Sequence, residues 1–280
     1  MVAAIWGVAF IAMKTTLERI DVYSFLSWRF IFATALLILI KPKVIKEFKL
    51  PILKKGSLVG LFLSAGYIFQ SIGLTKTTVG KTGFITGLYV VITPLIAAVF
   101  LKKRVAVLDW ASVAIATIGL GLLSFKGFGI GFGELLVLIS AIFFSIHILA
   151  LSEWAAELDV YALATTQLAA CAVVTFLTSL FKGFEVPPDS GVWKAILFTA
   201  IFATAFAFIV QTWTQSFMPA TTVAVILTLE AVFAAAFGIF ILSEDLTVRV
   251  ALGGILVLSA MYLIIFLEGK NSKIEVSYHD

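Results

Sequence analysis

The chain has little charge, one cysteine and two histidines, and each shortage excludes something. Asp, Glu, Lys and Arg make up 13% of the 280 residues, about half the share of a soluble domain, so no sizeable soluble domain is present. The single cysteine, Cys171, excludes an intramolecular disulfide and says little about redox compartment. No His/Cys/Asp/Glu cluster has metal-ligand spacing, and no cofactor is implied. Gly80-Lys81-Thr82 resembles the end of a phosphate loop, but the first glycine of that loop would fall on Thr75. No nucleotide-binding loop follows, so ATP-driven work has no support. The first apolar run lacks a basic start and a small-residue cleavage site, so no cleavable signal peptide is evident.

What is abundant is apolar: 61% of the residues are hydrophobic and the mean hydropathy is +1.12. A helix crossing the bilayer needs roughly 20 apolar residues. The expected fold is an all-α membrane protein of ten transmembrane helices. The spans read as Val2–Leu17, Val22–Ile40, Gly56–Leu74, Thr82–Leu101, Leu108–Phe125, Phe132–Leu151, Val160–Phe181, Trp193–Thr214, Ala220–Leu242 and Val248–Leu267. A polar, disordered tail is expected at 268–280. The first span is short, and a complete one would want one or two further turns before Met1.

The formal charge of +4 suits membrane orientation better than nucleic acid. Lys41, Lys43, Lys46, Lys49, Lys54 and Lys55 lie between spans 2 and 3, and Lys102, Lys103 and Arg104 between spans 4 and 5. The positive-inside rule makes that side cytoplasmic. Both termini then lie inside a multi-pass protein of the cell membrane. Basic residues on the other side, such as Lys76, Lys126 and Arg249, are scattered.

The chain also repeats itself. Asp21-Val22-Tyr23 precedes Arg29 as Asp159-Val160-Tyr161 precedes Gln167. Tyr67-Ile68-Phe69-Gln70 resembles Phe208-Ile209-Val210-Gln211, and Ile92-Thr93-Pro94-Leu95 takes the place of Leu229-Glu230-Ala231-Val232. Two halves of five spans follow, residues 1–126 and 127–267, joined near Gly127–Gly133. An odd number of spans per half inverts the second half, a plan that puts a substrate site near the midplane.

Polar groups inside the spans are the candidate site. Glu230 lies deep in the apolar run Ala220–Leu242, and a carboxylate there is costly unless it faces a bundle interior or a wet cavity. It can bind an ammonium group, carry a coupling proton, or bond a neighbouring helix, with Arg29 the obvious partner. Arg29 itself can hold the bundle together, attract a carboxylate, or snorkel. Thr82, Thr86, Tyr89 and Thr93 form one helical face, as do Thr204, Phe208, Gln211 and Gln215. These stripes line a pathway or bond packed helices. His147 sits mid-span as a proton relay or a structural histidine. Glu134 reads as a helix N-terminal acid at the interface. Trp6, Trp28 and Trp213 are placed to shape a pocket, and Gly83 and Gly87 form a GxxxG packing pair.

Several of these stretches together resemble the EamA family of the drug/metabolite transporter superfamily. They are Trp6-Gly7, Trp28-Arg29-Phe30, Thr86 through Leu95, Gln211-Thr212-Trp213, Leu229 through Ala235, and Ser243-Glu244. The resemblance covers nearly the whole chain. It implies two inverted five-helix EamA repeats and export of a small metabolite, amino acids and related compounds being common cargo. The family usually has proline after the intramembrane glutamate and glycine before the later one; here they are Ala231 and Ser243, which removes a helix kink beside Glu230.

The expected function is a secondary transporter working by alternating access, with Glu230, Gln211, Tyr89, Thr93, Thr86, Trp6, Arg29 and His147 as substrate-site residues. Its partners are small-molecule cargo and the lipid bilayer, with a homodimer left open. An importer or passive facilitator is the alternative. A lipid-acting membrane enzyme would need a nucleophile, metal or acid pair that the few intramembrane acids do not supply. A non-transporting scaffold would have a solid, unhydrated centre.

Overall fold

The computed structural model describes residues 1–102, 106–124, 131–242 and 247–277. Lys103, Arg104, Lys126, Ser243, Glu244, the start of the Gly127–Gly133 junction and the end of the tail lie outside the described residues. The described residues form helices: α1 (Val2–Thr16), α2 (Val22–Ile40), α3 (Leu50–Lys76), α4 (Val79–Gly87), α5 (Tyr89–Val99), α6 (Val107–Ser124), α7 (Phe132–Trp154), α8 (Val160–Lys182), α9 (Ser190–Ala200), α10 (Ala207–Gln215), α11 (Ala220–Leu227), α12 (Leu229–Leu242) and α13 (Val248–Ser277). A 3₁₀ turn, Pro42–Glu47, follows α2, and a π-helical turn, Ile201–Phe206, joins α9 to α10.

Six of these stretches are long and apolar enough to cross a membrane: Val22–Ile40, Leu50–Lys76, Val79–Val99, Phe132–Trp154, Val160–Lys182 and Ser190–Gln215. Shorter apolar helices lie at Val2–Thr16, Val107–Leu122, Ala220–Ala234 and Ala251–Phe266. Only 50–56% of each long span is buried inside the molecule. The outward faces carry Leu61, Ile118, Ile142, Val173, Leu177 and Leu258, which in water would form apolar patches far beyond those of soluble proteins. The protein is a multi-pass membrane protein.

Local chemistry starts the helices where the sequence puts a cap. The Asp21 carboxylate accepts hydrogen bonds from the Tyr23 and Ser24 N–H groups at 2.8 and 3.1 Å, and Asp159 accepts one from Ala162 at 2.7 Å. The sequence repeat Asp-Val-Tyr is thus a repeated helix start, and the two helices it starts, α2 and α8, pack on each other. Asp189 caps α9 through the Gly191 and Val192 N–H groups and pairs with Arg19. Glu134 reaches back from the first turn of α7 to the Gly131 N–H at 3.1 Å.

Three spans are interrupted. Val79–Val99 turns at Leu88, where i→i−3 bonds replace the α pattern at Leu88 and Val91. Pro94 sits inside α5, one turn and a half after that break. Ala220–Leu242 breaks at Thr228 although no proline follows Glu230. There the Thr228 hydroxyl donates to the Val225 carbonyl at 2.6 Å, beside the Thr228 N–H that reaches the same oxygen at 3.2 Å. In the third, Ser190–Gln215, the Thr204 hydroxyl donates five residues back to the Thr199 carbonyl at 2.8 Å, within the π turn.

Helix α13 runs on past the apolar span Ala251–Phe266.

Packing gathers the buried apolar residues into clusters, of which two are the largest. One is built on Phe25, Phe30, Leu63, Leu168 and Ile196, the other on Val90, Val113, Leu120, Val225 and Val257. Helix α3 approaches α8 closely at Gly60, where an added Cβ would meet the Gln167 carbonyl oxygen at 2.5 Å and Ala170 Cβ at 2.6 Å. At Gly83 an added Cβ meets nothing within 4 Å, while at Gly87 it meets Leu120 of α6 at 3.0 Å. Only the second glycine of the GxxxG pair packs. Gly60→Ala should lower the thermal midpoint in detergent, by on the order of 1–3 kcal/mol of overpacking, whereas Gly83→Ala should leave it unchanged or raise it. Equal midpoints for the two variants would refute the close-approach account.

Candidate functional site

At the centre of the helices lies a cavity of about 50 Å³. One water needs roughly 10–15 Å³ on this measure, so the space suits a few waters or a few carbon atoms. Its walls come from α1, α3, α4, α5, α7, α10, α11 and α12, with Arg29 entering from α2.

Trp6, Arg29, Thr86, Tyr89, His147, Gln211 and Glu230 line it. Thr93 does not: it is fully buried, and its hydroxyl has no hydrogen-bond partner. Thr86 and Tyr89, on either side of the break at Leu88, reach the cavity, while Thr82 and Thr93, one turn further out along α4 and α5, do not line it. Trp28 and Trp213 do not line it either. Trp28 stacks on Phe32 and bonds the Glu185 carbonyl, and Trp213 is 57% exposed. The stripe on the interrupted span Ser190–Gln215 also separates: Phe208 and Gln211 face the cavity, Thr204 bonds Arg29, and Gln215 bonds α7.

Arg29 is 1% exposed, and its Nε and Nη2 donors are committed to protein oxygens. Its Nε donates to Thr204 Oγ1 at 2.6 Å and its Nη2 to the Ala203 carbonyl at 3.2 Å and Tyr67 Oη at 3.3 Å. Nη1 lies 3.4 Å from Met13 Sδ, and the guanidinium sits 4.6 Å from the Tyr67 ring centroid. The Ala203 carbonyl also accepts from Trp6 Nε1 at 2.8 Å. Ala203 and Thr204 both belong to the π turn, whose irregular bonding leaves a carbonyl for these two donors. The turn is therefore tied to α1 and α2. No ion pair joins Arg29 to Glu230, the pairing that the sequence suggested; the guanidinium is occupied on the π turn.

Glu230 stands in the first turn of α12, directly after the break at Thr228. Among the described residues it has no hydrogen-bond or ion-pair partner. A helix N-terminus favours a carboxylate placed there. Gly7 of α1 lets the two helices approach: an added Cβ would meet the Glu230 carbonyl oxygen at 3.1 Å and the Ala234 nitrogen at 2.8 Å. Trp6-Gly7 thus has two physical jobs, a cavity wall and a helix contact beside the acid.

His147 is buried and its Nε2 lies 2.9 Å from Gln167 Oε1. Gln211 Nε2 donates to Gln215 Oε1 at 2.9 Å, and Gln215 Nε2 donates to the Ile148 carbonyl at 2.7 Å and Ser152 Oγ at 2.6 Å. Glu134 lies away from the cavity, accepting from Thr77 Oγ1 at 2.7 Å and Lys81 Nζ at 2.8 Å. Lys14 caps the end of α3 through the Leu74 and Thr77 carbonyls at 2.8 and 3.0 Å.

Cavity residues missed in the sequence include Tyr67, Gln70, Phe10, Met13 and Phe144. Tyr67 and Gln70 were within reach, since the repeat sets them against Phe208 and Gln211, which line the same space. The others are apolar residues in apolar helices and carry no signal of their own.

The model of the EamA-like transporter family matches residues 1–125 and again residues 131–266. The chain belongs to the EamA-like transporter family. A relative from Archaeoglobus fulgidus, described as an uncharacterized transporter, is 33% identical over 270 residues, 94% of this chain and 83% of its own. An uncharacterized transporter of Bacillus subtilis, YoaV, is 25% identical over 94% of this chain and 93% of its own length. A solved crystal structure superposes with a TM-score of 0.75 over 95% of this chain and 96% of that one, at 16% identity, a likeness of fold alone. This EamA-like protein is therefore a membrane protein of a transporter family, in the drug/metabolite transporter superfamily.

Proposed function

We propose that this EamA-like protein is a ten-span secondary transporter that exports a small metabolite, of amino-acid size or below, by alternating access. The observation that carries the reading is the central cavity with an acid, Glu230, that no protein group pairs among the described residues. Buried ionisable groups are costly in a bilayer and mark substrate or ion pathways. In this reading Glu230 holds cargo or a coupling proton, Gln211, Tyr89 and Thr86 orient the cargo, and Trp6 closes one wall. Arg29 and His147 act through their neighbours, and Thr93 supports the helix from behind.

The ten spans add the four shorter apolar helices to the six long ones, as two inverted repeats, 1–126 and 127–267, followed by the tail. Packing supports this: exchanging each span for its counterpart turns the α3–α8 contact into the α2–α9 contact, and the α1–α12 contact into that of α4 and α5 with α7. Both termini are cytoplasmic in this reading, on the side of Lys41 through Lys55.

The test is metabolite uptake into everted membrane vesicles containing the full chain. Export reads as accumulation above control vesicles, and collapsing the proton gradient should abolish it. Flux that persists without a gradient would favour the passive facilitator, and accumulation only in right-side-out vesicles the importer. No flux of any metabolite screened would refute transport.

A further inference from the structure

We propose that the 3₁₀ turn Pro42–Glu47 and the start of α3 form a binding site for one anionic phospholipid. Its phosphodiester sits between Lys43 and Lys46, and its acyl chains cover Ile45 and Leu50. The site lies outside the central cavity and does not depend on the cargo.

This connection is built into the fold. Val44 is fully buried in a cluster with Ile52 of α3 and Ala162 of α8, and Phe48 and Tyr161 pack around it. The Val44 N–H donates to the Lys41 carbonyl at 2.9 Å, and the Tyr161 hydroxyl donates to the Leu37 carbonyl at 2.6 Å. The turn is thus held to both α3 and α8.

A 3₁₀ helix has three residues per turn, so side chains three apart eclipse. With Val44 turned inward, Lys43 and Lys46 fall one above the other on a second face, and Ile45 takes the third. Both lysines are exposed. Two ammonium groups stacked on one turn repel each other, and an anion between them replaces that repulsion with two attractions.

No acid in the protein supplies that anion. Lys41 lies 3.9 Å from Asp159 and 5.0 Å from the Tyr161 ring centroid, Lys49 lies 3.8 Å from Glu47, and Lys55 bonds Glu157 at 3.0 Å. Lys43, Lys46 and Lys54 have no ion-pair partner among the described residues. The connection between α8 and α9, residues 183–189, is the opposite case: it holds no lysine, and its acids are used, Glu185 by the Asp21 N–H at 2.8 Å and Asp189 by Arg19.

The surroundings favour a lipid over a soluble anion. Helix α3 has 27 residues, which makes it roughly 40 Å long against a hydrocarbon core of roughly 30 Å. Its polar ends therefore stand at headgroup level. Beside the free lysines Ile45 is 56% exposed and Leu50 is 62% exposed. Apolar side chains next to lysines at that level lie at the boundary of headgroups and acyl chains.

Native mass spectrometry tests this on the full chain in detergent, titrated with a phosphatidylglycerol or a phosphatidylcholine of identical acyl chains. A lysine near a membrane surface adds roughly fivefold to the attraction of anionic lipid. The first phosphatidylglycerol bound should therefore be held at least about tenfold more tightly than the first phosphatidylcholine. Lys43→Gln with Lys46→Gln should erase that preference. Lys182→Gln with Lys194→Gln, which removes two exposed charges flanking residues 183–189, should keep it. Excess glycerol 3-phosphate should leave the lipid bound. No preference, a preference spread evenly over all bound lipids, an undiminished preference in a folded Lys43→Gln/Lys46→Gln variant, or an equal loss in the Lys182/Lys194 control would each overturn the proposal. Displacement by glycerol 3-phosphate would also overturn it, because the ligand would then be a free phosphoester.

Discussion

Arg29→Ala unfolds more readily than the wild type, by on the order of 3 kcal/mol, when thermal unfolding is followed in detergent. Two effects add. The substitution removes a fully buried side chain from among Phe30, Tyr67 and Met13, and it deletes the charge-assisted bonds to Thr204 and Ala203 that pin the π turn. The loss is moderated because the Ala203 carbonyl keeps Trp6 and the Thr204 hydroxyl keeps the Thr199 carbonyl. Arg29→Lys should not restore stability, since one ammonium cannot reproduce a planar fork that reaches the Thr204 hydroxyl, the Ala203 carbonyl and the Tyr67 hydroxyl together. A lysine variant as stable as the wild type would show that charge alone, and not the fork, holds α2 to the π turn.

Glu230→Gln keeps the fold and loses transport. Glutamine matches the shape and removes only the charge, and Glu230 forms no bond among the described residues whose loss would unseat a neighbour. Flux in everted vesicles should fall at least tenfold, and its dependence on pH should flatten, because a neutral amide neither releases a proton nor pairs with an ammonium. The thermal midpoint should stay near that of the wild type. Unchanged flux with unchanged pH dependence would remove Glu230 from the mechanism. A large fall in the midpoint would make it a structural acid instead.

Much of the architecture was legible because lipid imposes a simple rule: each crossing needs a long apolar helix that satisfies its own backbone. The helix starts at Asp21 and Asp159 were visible as a repeat and prove to be caps. The interruptions were not visible. The break at Thr228 carries no local mark, since hydroxyl side chains elsewhere in these helices, at Thr175 for example, bond back without a break. The π turn was hidden because Ile201–Phe206 looks like any other apolar stretch, and its partners, Arg29 and Trp6, lie on distant helices.

By itself, then, the sequence determined that the chain is a helical membrane protein, that it repeats, and that one acid sits at an uncomfortable depth. These follow from composition, periodicity and the cost of charge in hydrocarbon, all of which are local. The tertiary structure decided what that acid faces. Arg29 forms no ion pair with it, its guanidinium bonding Ala203, Thr204 and Tyr67, and Tyr89 lines the cavity while Thr93, one turn along the same helix, does not. Both outcomes depend on which groups from far along the chain arrive within 3 Å or so of one another, and hydrogen-bond partnership at that range is a property of packing.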